Sequence, residues 1–409
     1  MRHLIVGNGM AGVAAAQTLR DLDAEAEIAI VTEEEAPFYS RPGLMYYMMG
    51  RLKGWDLLIA KGDAFYQQLG VSIRYGRAAR VAVGEDALEM ASGERLPFDR
   101  LLLATGSKSR RLAVPGADLD GIHFMYSLQD CREIMARTRR GMKAVLVGGG
   151  LLGAELAEVW RHFGLHVTFL VQEPWYFRKG LSEAQGRIVE AGIRRHGVDL
   201  HLGEQVAALA GTGAVSKVVT QSGREFDADA VGVTIGVEPN TDLAAASGLN
   251  VGRGIVVDES LRTSRPNVFA AGDCAEILPA GEARSQIEQL WYSAEKQGRA
   301  AARAMAGDTR RYDPGVFYNS AMFFDVDYVS IGESRVSEGA EEQTVISRDR
   351  GAARRFLSRG GVVTGITSVG ANDNAAAIMD LVTRGVSLEV ARSRLGGRRW
   401  TSEVSSEGR

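Results

Sequence analysis

Cysteine is nearly absent. The 409 residues hold two, Cys131 and Cys274, far apart and in neither a C-x-x-C nor a metal-type spacing, so neither a disulfide framework nor a zinc site is signalled. A reducing cytoplasm is the expected location. Long apolar runs are missing as well: Gly, Arg or Asp interrupts every candidate before the roughly 20 residues that a membrane span needs. The opening MRHLIVGNGMAG has one basic residue and a glycine-broken apolar run, without the long apolar stretch and cleavage site of an export signal. Charge of one sign is not in excess either. With 48 basic and 51 acidic side chains the formal net charge is −3, which gives no global field for nucleic acid or an anionic membrane. Any charged partner must dock on a local patch.

What is present is a globular composition. Hydrophobic residues make up 45% and charged residues 24%, close to soluble averages. At about 150 residues per domain the length predicts two or three compact units.

Periodicity predicts a strand over His3 to Val6, a glycine turn, an amphipathic helix to about Arg20 and a strand from Glu27 to Val31. The same grammar returns with a strand over Lys143 to Val147, a glycine turn, a helix to about Phe163 and a strand from His166 to Val171. These are two βαβ units, with 141 positions between Gly7 and Gly148, a domain spacing and not a solenoid period. Each is followed by short strands between polar turns and then an apolar run, Leu101 to Ser107 in the first half and the stretch ending at Gly236 and Pro239 in the second. Beyond the connector AGDTRRYDPG, alternating strands run through Val369 and a helix is expected near Ala375 to Thr383. This is a third, smaller domain, and the polar TSEVSSEGR at the end should fray.

In Gly7-Asn8-Gly9-Met10-Ala11-Gly12, the first glycine suits a tight turn, the second the approach of a pyrophosphate and the third close helix–strand packing. The helix that follows presents free N–H groups and a positive dipole end. Glu33, 26 positions beyond Gly7, is placed to accept ribose hydroxyls; the competing reading is a solvated acidic loop made of Glu33, Glu34 and Glu35. The second loop, Gly148-Gly149-Gly150-Leu151-Leu152-Gly153, repeats the spacing, but its βαβ unit ends in Val171-Gln172-Glu173, so the usual ribose carboxylate is absent or displaced. Arg178 and Lys179 either meet a 2′-phosphate or are ordinary surface cations. Two such loops imply two dinucleotides, and the simplest task for such a chain is hydride transfer between them. A third signal is the strand-like Val268 to Ala271 delivering Gly272-Asp273 to the ligand edge of a parallel sheet.

Together with Ala104-Thr105-Gly106 and with Glu155 two places past the second loop, these motifs resemble the FAD/NAD(P)H oxidoreductases with two dinucleotide folds. The similarity covers about residues 1 to 335. It is greatest to the branch without a redox disulfide: NADH:rubredoxin reductases, ferredoxin reductases of aromatic-ring oxygenases, and the NADH-oxidising part of nitrite reductases. Residues 35 to 60 hold no cysteine, in keeping with that branch, and Cys274 reads as a packing residue.

The resemblance implies an α/β fold of two Rossmann-like dinucleotide-binding domains with a smaller C-terminal α+β domain. The expected boundaries are 1–111 and 237–310 for FAD, 112–236 for NAD(P), 311–400 for an interface domain that in relatives helps form homodimers, and a disordered 401–409. It implies FAD contacts from Gly7, Gly9, Met10, Ala11, Gly12, Glu33, Arg41, Pro42, Ala78 (in the loop after Gly76), Thr105, Gly106, Asp273 and Trp291. For NAD(P)H, with NADH slightly preferred, it implies Gly148, Gly150, Gly153 and Gly236. Trp291 and Tyr292 also fit as plain core aromatics. Relatives pair the glutamate at the Glu155 position with a flavin-side lysine; here Pro42 is followed by Gly43-Leu44-Met45-Tyr46-Tyr47. Glu155 is then either an unpaired carboxylate of raised pKa acting at the nicotinamide or a helix residue paired with Arg161 or Lys179. The implied partner is a small acidic redox protein of rubredoxin or ferredoxin type. It would dock at Arg110-Arg111, at Arg137 to Arg140 with Lys143, at Arg354-Arg355 with Arg359, or at Arg398-Arg399. The alternative is an FAD-binding sensor or interaction protein with slow or incidental NADH oxidation; direct reduction of oxygen or a quinone has no dedicated site in the sequence.

Overall fold

The computed structural model describes residues 1–52, 54–82, 84–279, 285–347, 349, 351–395 and 401–403. The chain divides into two compact units, Met1–Lys108 with Val237–Pro314 and Ser109–Gly236 with Gly315–Arg409.

In the first unit a five-stranded parallel sheet runs in the order Val268–Ala270, Arg100–Leu103, Arg2–Val6, Glu27–Thr32, Val71–Tyr75. Apart from the edge strand Val71–Tyr75, which is largely exposed, these are apolar runs largely buried on both faces, as a covered parallel sheet requires. Val6 pairs with Val31 and with Leu103, and Leu103 with Ala270. Three strand ends therefore stop level, and the loops after Val6, Leu103 and Ala270 share one edge. Helices Met10–Leu22 and Trp291–Met305 cross so closely that a Cβ on Gly298 would lie 2.2 Å from the Ala11 oxygen. A three-stranded antiparallel sheet, Ala78–Ala82, Ala87–Met90 and Arg95–Pro97, completes the unit. Ala78 opens the first of these strands and pairs with Met90; it does not sit in the loop after Gly76, because the turn is already complete at Gly76, which takes φ +144°.

The second unit repeats the plan. Its parallel sheet has the order Ile122–His123, Ala230–Val233, Lys143–Val147, His166–Val171, Asp199–Leu202, with helix Leu151–His162 between the third and fourth of these strands and an antiparallel sheet of Val206–Thr212, Ala214–Thr220 and Glu225–Asp227 beside it. Residues from 315 onward belong to this unit. They form a six-stranded antiparallel sheet in the order Tyr318–Phe323, Val326–Gly332, Val362–Val369, Ala352–Arg359, Glu341–Ser347, Thr401–Glu403. Helices Ala375–Thr383 and Leu388–Leu395 cover it, their Ile378, Leu381 and Ala391 sharing a core with Phe356 and Ile366. The sheet is tied to helix Glu183–Arg195 by Gln185, whose buried amide donates to the Thr367 oxygen at 2.8 Å.

The expected fraying at 401–409 is corrected in part. Thr401–Glu403 pairs antiparallel with Glu341–Ser347, whose backbone groups would otherwise form an open edge; residues 404–409 lie outside the described residues. No helix among the described residues is long and apolar enough to cross a membrane.

Candidate functional site

The glycines of the first loop separate into two kinds. Gly7 takes φ +117°, and a Cβ there would lie 2.1 Å from the Ala104 oxygen; one on Gly12 would lie 2.0 Å from the Gly7 oxygen. The protein's own packing demands both. Gly9 has an ordinary extended backbone, φ −91° and ψ −172°, and a Cβ there would meet nothing within 4 Å. That space lies at the N-terminus of a 13-residue helix whose cap provides no side-chain acceptor. Free amides facing open space suit a diphosphate. Met10 and Ala11 begin this helix with their side chains turned to the core, Met10 partly buried against it and Ala11 buried beside Gly272, so they offer a ligand backbone amides only.

Several contacts brace this edge without leaving a sequence motif. Buried Tyr66 donates to Asn8 Oδ1 at 2.7 Å, and burial pushes its phenol up to about 12, keeping it a donor. Thr105 Oγ1 donates to the Asn240 oxygen at 2.7 Å, Asn240 Nδ2 donates to the Thr105 oxygen at 3.0 Å, and the Asn240 N–H donates to the Gly106 oxygen. Ser107 Oγ donates to Asp273 Oδ2 at 3.0 Å and accepts from Gln289 at 3.1 Å. The Gly272 N–H donates to fully buried Gln297, whose amide donates to Glu288, which Tyr312 also meets. Residues 288 and 289 thus reach Gly272 through Gln297 and Asp273 through Ser107.

Glu34 is committed internally, accepting from Tyr39 at 2.7 Å and pairing with Arg41 at 3.1 Å. Glu33, directly after its strand, is exposed, as is Glu35. Arg41 also lies over the Tyr39 ring, and Pro42 after it is exposed. Trp291 starts its helix and stacks on Phe38, with ring centroids 5.5 Å apart.

The second loop repeats the division. Gly148 has φ +116°, and a Cβ there would lie 2.5 Å from the Thr234 oxygen; on Gly153 it would lie 2.3 Å from the Gly148 oxygen; on Gly150 it would meet nothing within 4 Å. Gly236, φ +105°, accepts from the Arg110 N–H at 3.0 Å. The Gly7 N–H donates to the Val31 oxygen and the Gly148 N–H to the Leu170 oxygen, so the register sets Gln172 where the first unit has Glu33. Arg178 lies over the Trp175 ring.

Glu155 is half-buried, and burial with the neighbouring Glu158 raises its carboxyl to about 7. It has no ion pair among the described residues. Arg161 donates instead to the Leu165 and His196 oxygens, so the pairing of Glu155 with Arg161 or Lys179 does not occur.

Of the basic clusters, Arg354 and Arg355 are buried and form no docking surface. Their strand faces inward: Arg354 pairs with Asp373 at 2.6 Å, and Arg355 donates to the Gly180 and Ser334 oxygens. Arg137 pairs with Asp120 and Lys143 with Asp227; Arg398 and Arg399 lie outside the described residues. Cys131 and Cys274 are both free and buried.

Residues 1–298 match the pyridine nucleotide-disulphide oxidoreductase family. The chain belongs to that family. Among the relatives of this oxidoreductase, the biphenyl dioxygenase system ferredoxin–NAD(+) reductase component of Paraburkholderia xenovorans (strain LB400) is 34% identical over 302 residues, 74% of each chain. The nitrite reductase [NAD(P)H] of Bacillus subtilis (strain 168) is 27% identical over 93% of this chain, which spans 47% of that protein's length. Putidaredoxin reductase, solved as a covalent complex with putidaredoxin, superposes with a TM-score of 0.87 at 26% identity, covering 97% of this chain and 96% of that one. The disulphide of the family's name has no counterpart here, since Cys131 and Cys274, the two cysteines of the sequence, are both free.

Proposed function

We propose that the chain is an FAD-dependent NAD(P)H oxidoreductase that holds FAD in the first glycine loop and the nicotinamide nucleotide in the second, and hands electrons to a small redox protein. The observation that carries this reading is the pair of middle glycines: at Gly9 and Gly150 the fold leaves room for a side chain and the sequence still has none. FAD, when bound, takes up a hydride as an electron pair and can release electrons singly. The first helix and Gly9 receive the FAD pyrophosphate, Glu33 the adenosine ribose, and Asp273, oriented by Ser107, a ribityl hydroxyl. Gly150 opens the way to the NAD(P)H pyrophosphate. NADH is the preferred donor, since Glu173, next to Gln172, would repel a 2′-phosphate.

Buried cysteines leave the electrons no thiol relay, which favours a one-electron carrier as acceptor. The reductases among the relatives support that choice. An FAD-binding sensor is the second reading, favoured by Glu155 having no ion pair among the described residues.

Cytochrome c reduction driven by NADH separates the two. The proposal expects a rate that requires an added rubredoxin or [2Fe–2S] ferredoxin and falls as salt screens the encounter. A rate that no carrier increases contradicts it.

A further inference from the structure

The two loops differ in the way the first turn of the helix is held. After the first loop, the Gly9 carbonyl accepts the Val13 N–H at 3.0 Å, an ordinary opening turn. After the second, the Gly150 carbonyl receives the Ala154 N–H only at 3.4 Å but accepts the Tyr176 hydroxyl at 2.6 Å. Tyr176 is fully buried. Burial above all, with the Glu155 and Glu173 carboxyls nearby, holds its phenol far above the usual range, so the hydroxyl remains a donor.

Its placement is over-determined. The ring stands edge-on to Phe169 at 5.8 Å and to Phe323 at 5.6 Å, the latter from the first strand of the six-stranded sheet. The Tyr176 N–H donates to Glu190 at 2.9 Å, and Glu190 is paired with Arg187. The next residue, Phe177, takes φ +54°, a conformation that a bulky side chain keeps only under constraint and that clusters at functional sites. Its ring also meets Phe323.

We propose that Tyr176 is a positioning residue for the second loop. Its hydroxyl fixes the Gly150 carbonyl, and with it the opening turn whose free amides face the nucleotide diphosphate. Phe323 makes that position depend on the C-terminal sheet. This rests on the reading of the second loop as the NAD(P)H site.

Calorimetric titration of the FAD-loaded protein with ADP-ribose and with AMP tests it, because only ADP-ribose carries the diphosphate. Tyr176→Phe should weaken ADP-ribose by about three- to tenfold, the effect of one hydrogen bond. AMP affinity and flavin content should stay unchanged, and the melting temperature should fall by no more than the loss of that one buried hydrogen bond. Phe323→Leu should weaken ADP-ribose in the same direction by a smaller factor. Unchanged ADP-ribose affinity in Tyr176→Phe overturns the proposal, as does an equal loss for both ligands with a lowered melting temperature. An unaffected Phe323→Leu overturns the dependence on the sheet. If the unmodified protein binds no ADP-ribose, the nucleotide reading of the loop fails, and the proposal with it.

Discussion

Thr105 and Asn240 hold each other by exchanged hydrogen bonds between side chain and backbone, at 2.7 Å and 3.0 Å, across 135 positions of sequence. They join the turn after Arg100–Leu103 to the segment where the chain re-enters the first unit. Asn240→Ala leaves the Thr105 oxygen without its side-chain donor, while the bond from Thr105 Oγ1 to the backbone oxygen at 240 remains, and should cost about 1 kcal/mol of stability. The same change should lower the ratio of flavin to protein absorbance after purification. A variant that melts normally and stays fully yellow would show that the pair does not support the site.

The division among the glycines predicts opposite outcomes for neighbouring substitutions. Gly12→Ala places a methyl against the Gly7 carbonyl and should destabilise the protein with or without flavin. Gly9→Ala should change the stability of the flavin-free protein by no more than about 1 kcal/mol, yet sharply reduce FAD affinity. Urea unfolding of the flavin-free proteins, with FAD titration alongside, distinguishes these outcomes.

Asp273→Ala removes the acceptor that Ser107 orients. FAD should then be lost on dialysis while the secondary structure persists by circular dichroism. Full flavin content after dialysis would remove Asp273 from the binding set.

Glu155 gives a pH prediction. Its folded-state value of about 7 stands above the ordinary 4.5, so between those values the folded chain binds a proton that the unfolded chain releases. Stability therefore falls as pH rises through that window, by about 3 kcal/mol in total. Glu155→Gln should flatten that slope in urea melts. If the carboxylate supports the positive charge that develops on the nicotinamide, flavin reduction should also speed up through about pH 7 in the unmodified protein and lose that rise in the variant.

The glycine loops were legible because turn, close approach and helix packing each demand glycine at fixed spacing, and the strands around them because buried parallel strands read as apolar runs. The braces were not legible. Ser107 meets Asp273 across 166 positions, and Gln297 reaches Gly272 from the inner face of a helix, where its polarity breaks the apolar stripe but names no partner. Ala78 was expected in a loop because Gly76 signals a turn; antiparallel pairing with Met90 begins two residues later. Thr401–Glu403 has no strand pattern of its own and pairs because an edge is available. Arg354 and Arg355 read as surface charge, since a buried arginine announces itself only through its acceptors.

The proposed function requires that this chain bind a flavin and a nicotinamide nucleotide and pass electrons from one to the other without a thiol relay. Anaerobic stopped-flow mixing of the purified yellow protein with NADH, followed at the visible flavin band, tests it most directly. Rapid bleaching is expected, and in Gly150→Val a retained yellow colour with bleaching strongly slowed. A flavin that keeps its colour with both NADH and NADPH would contradict it.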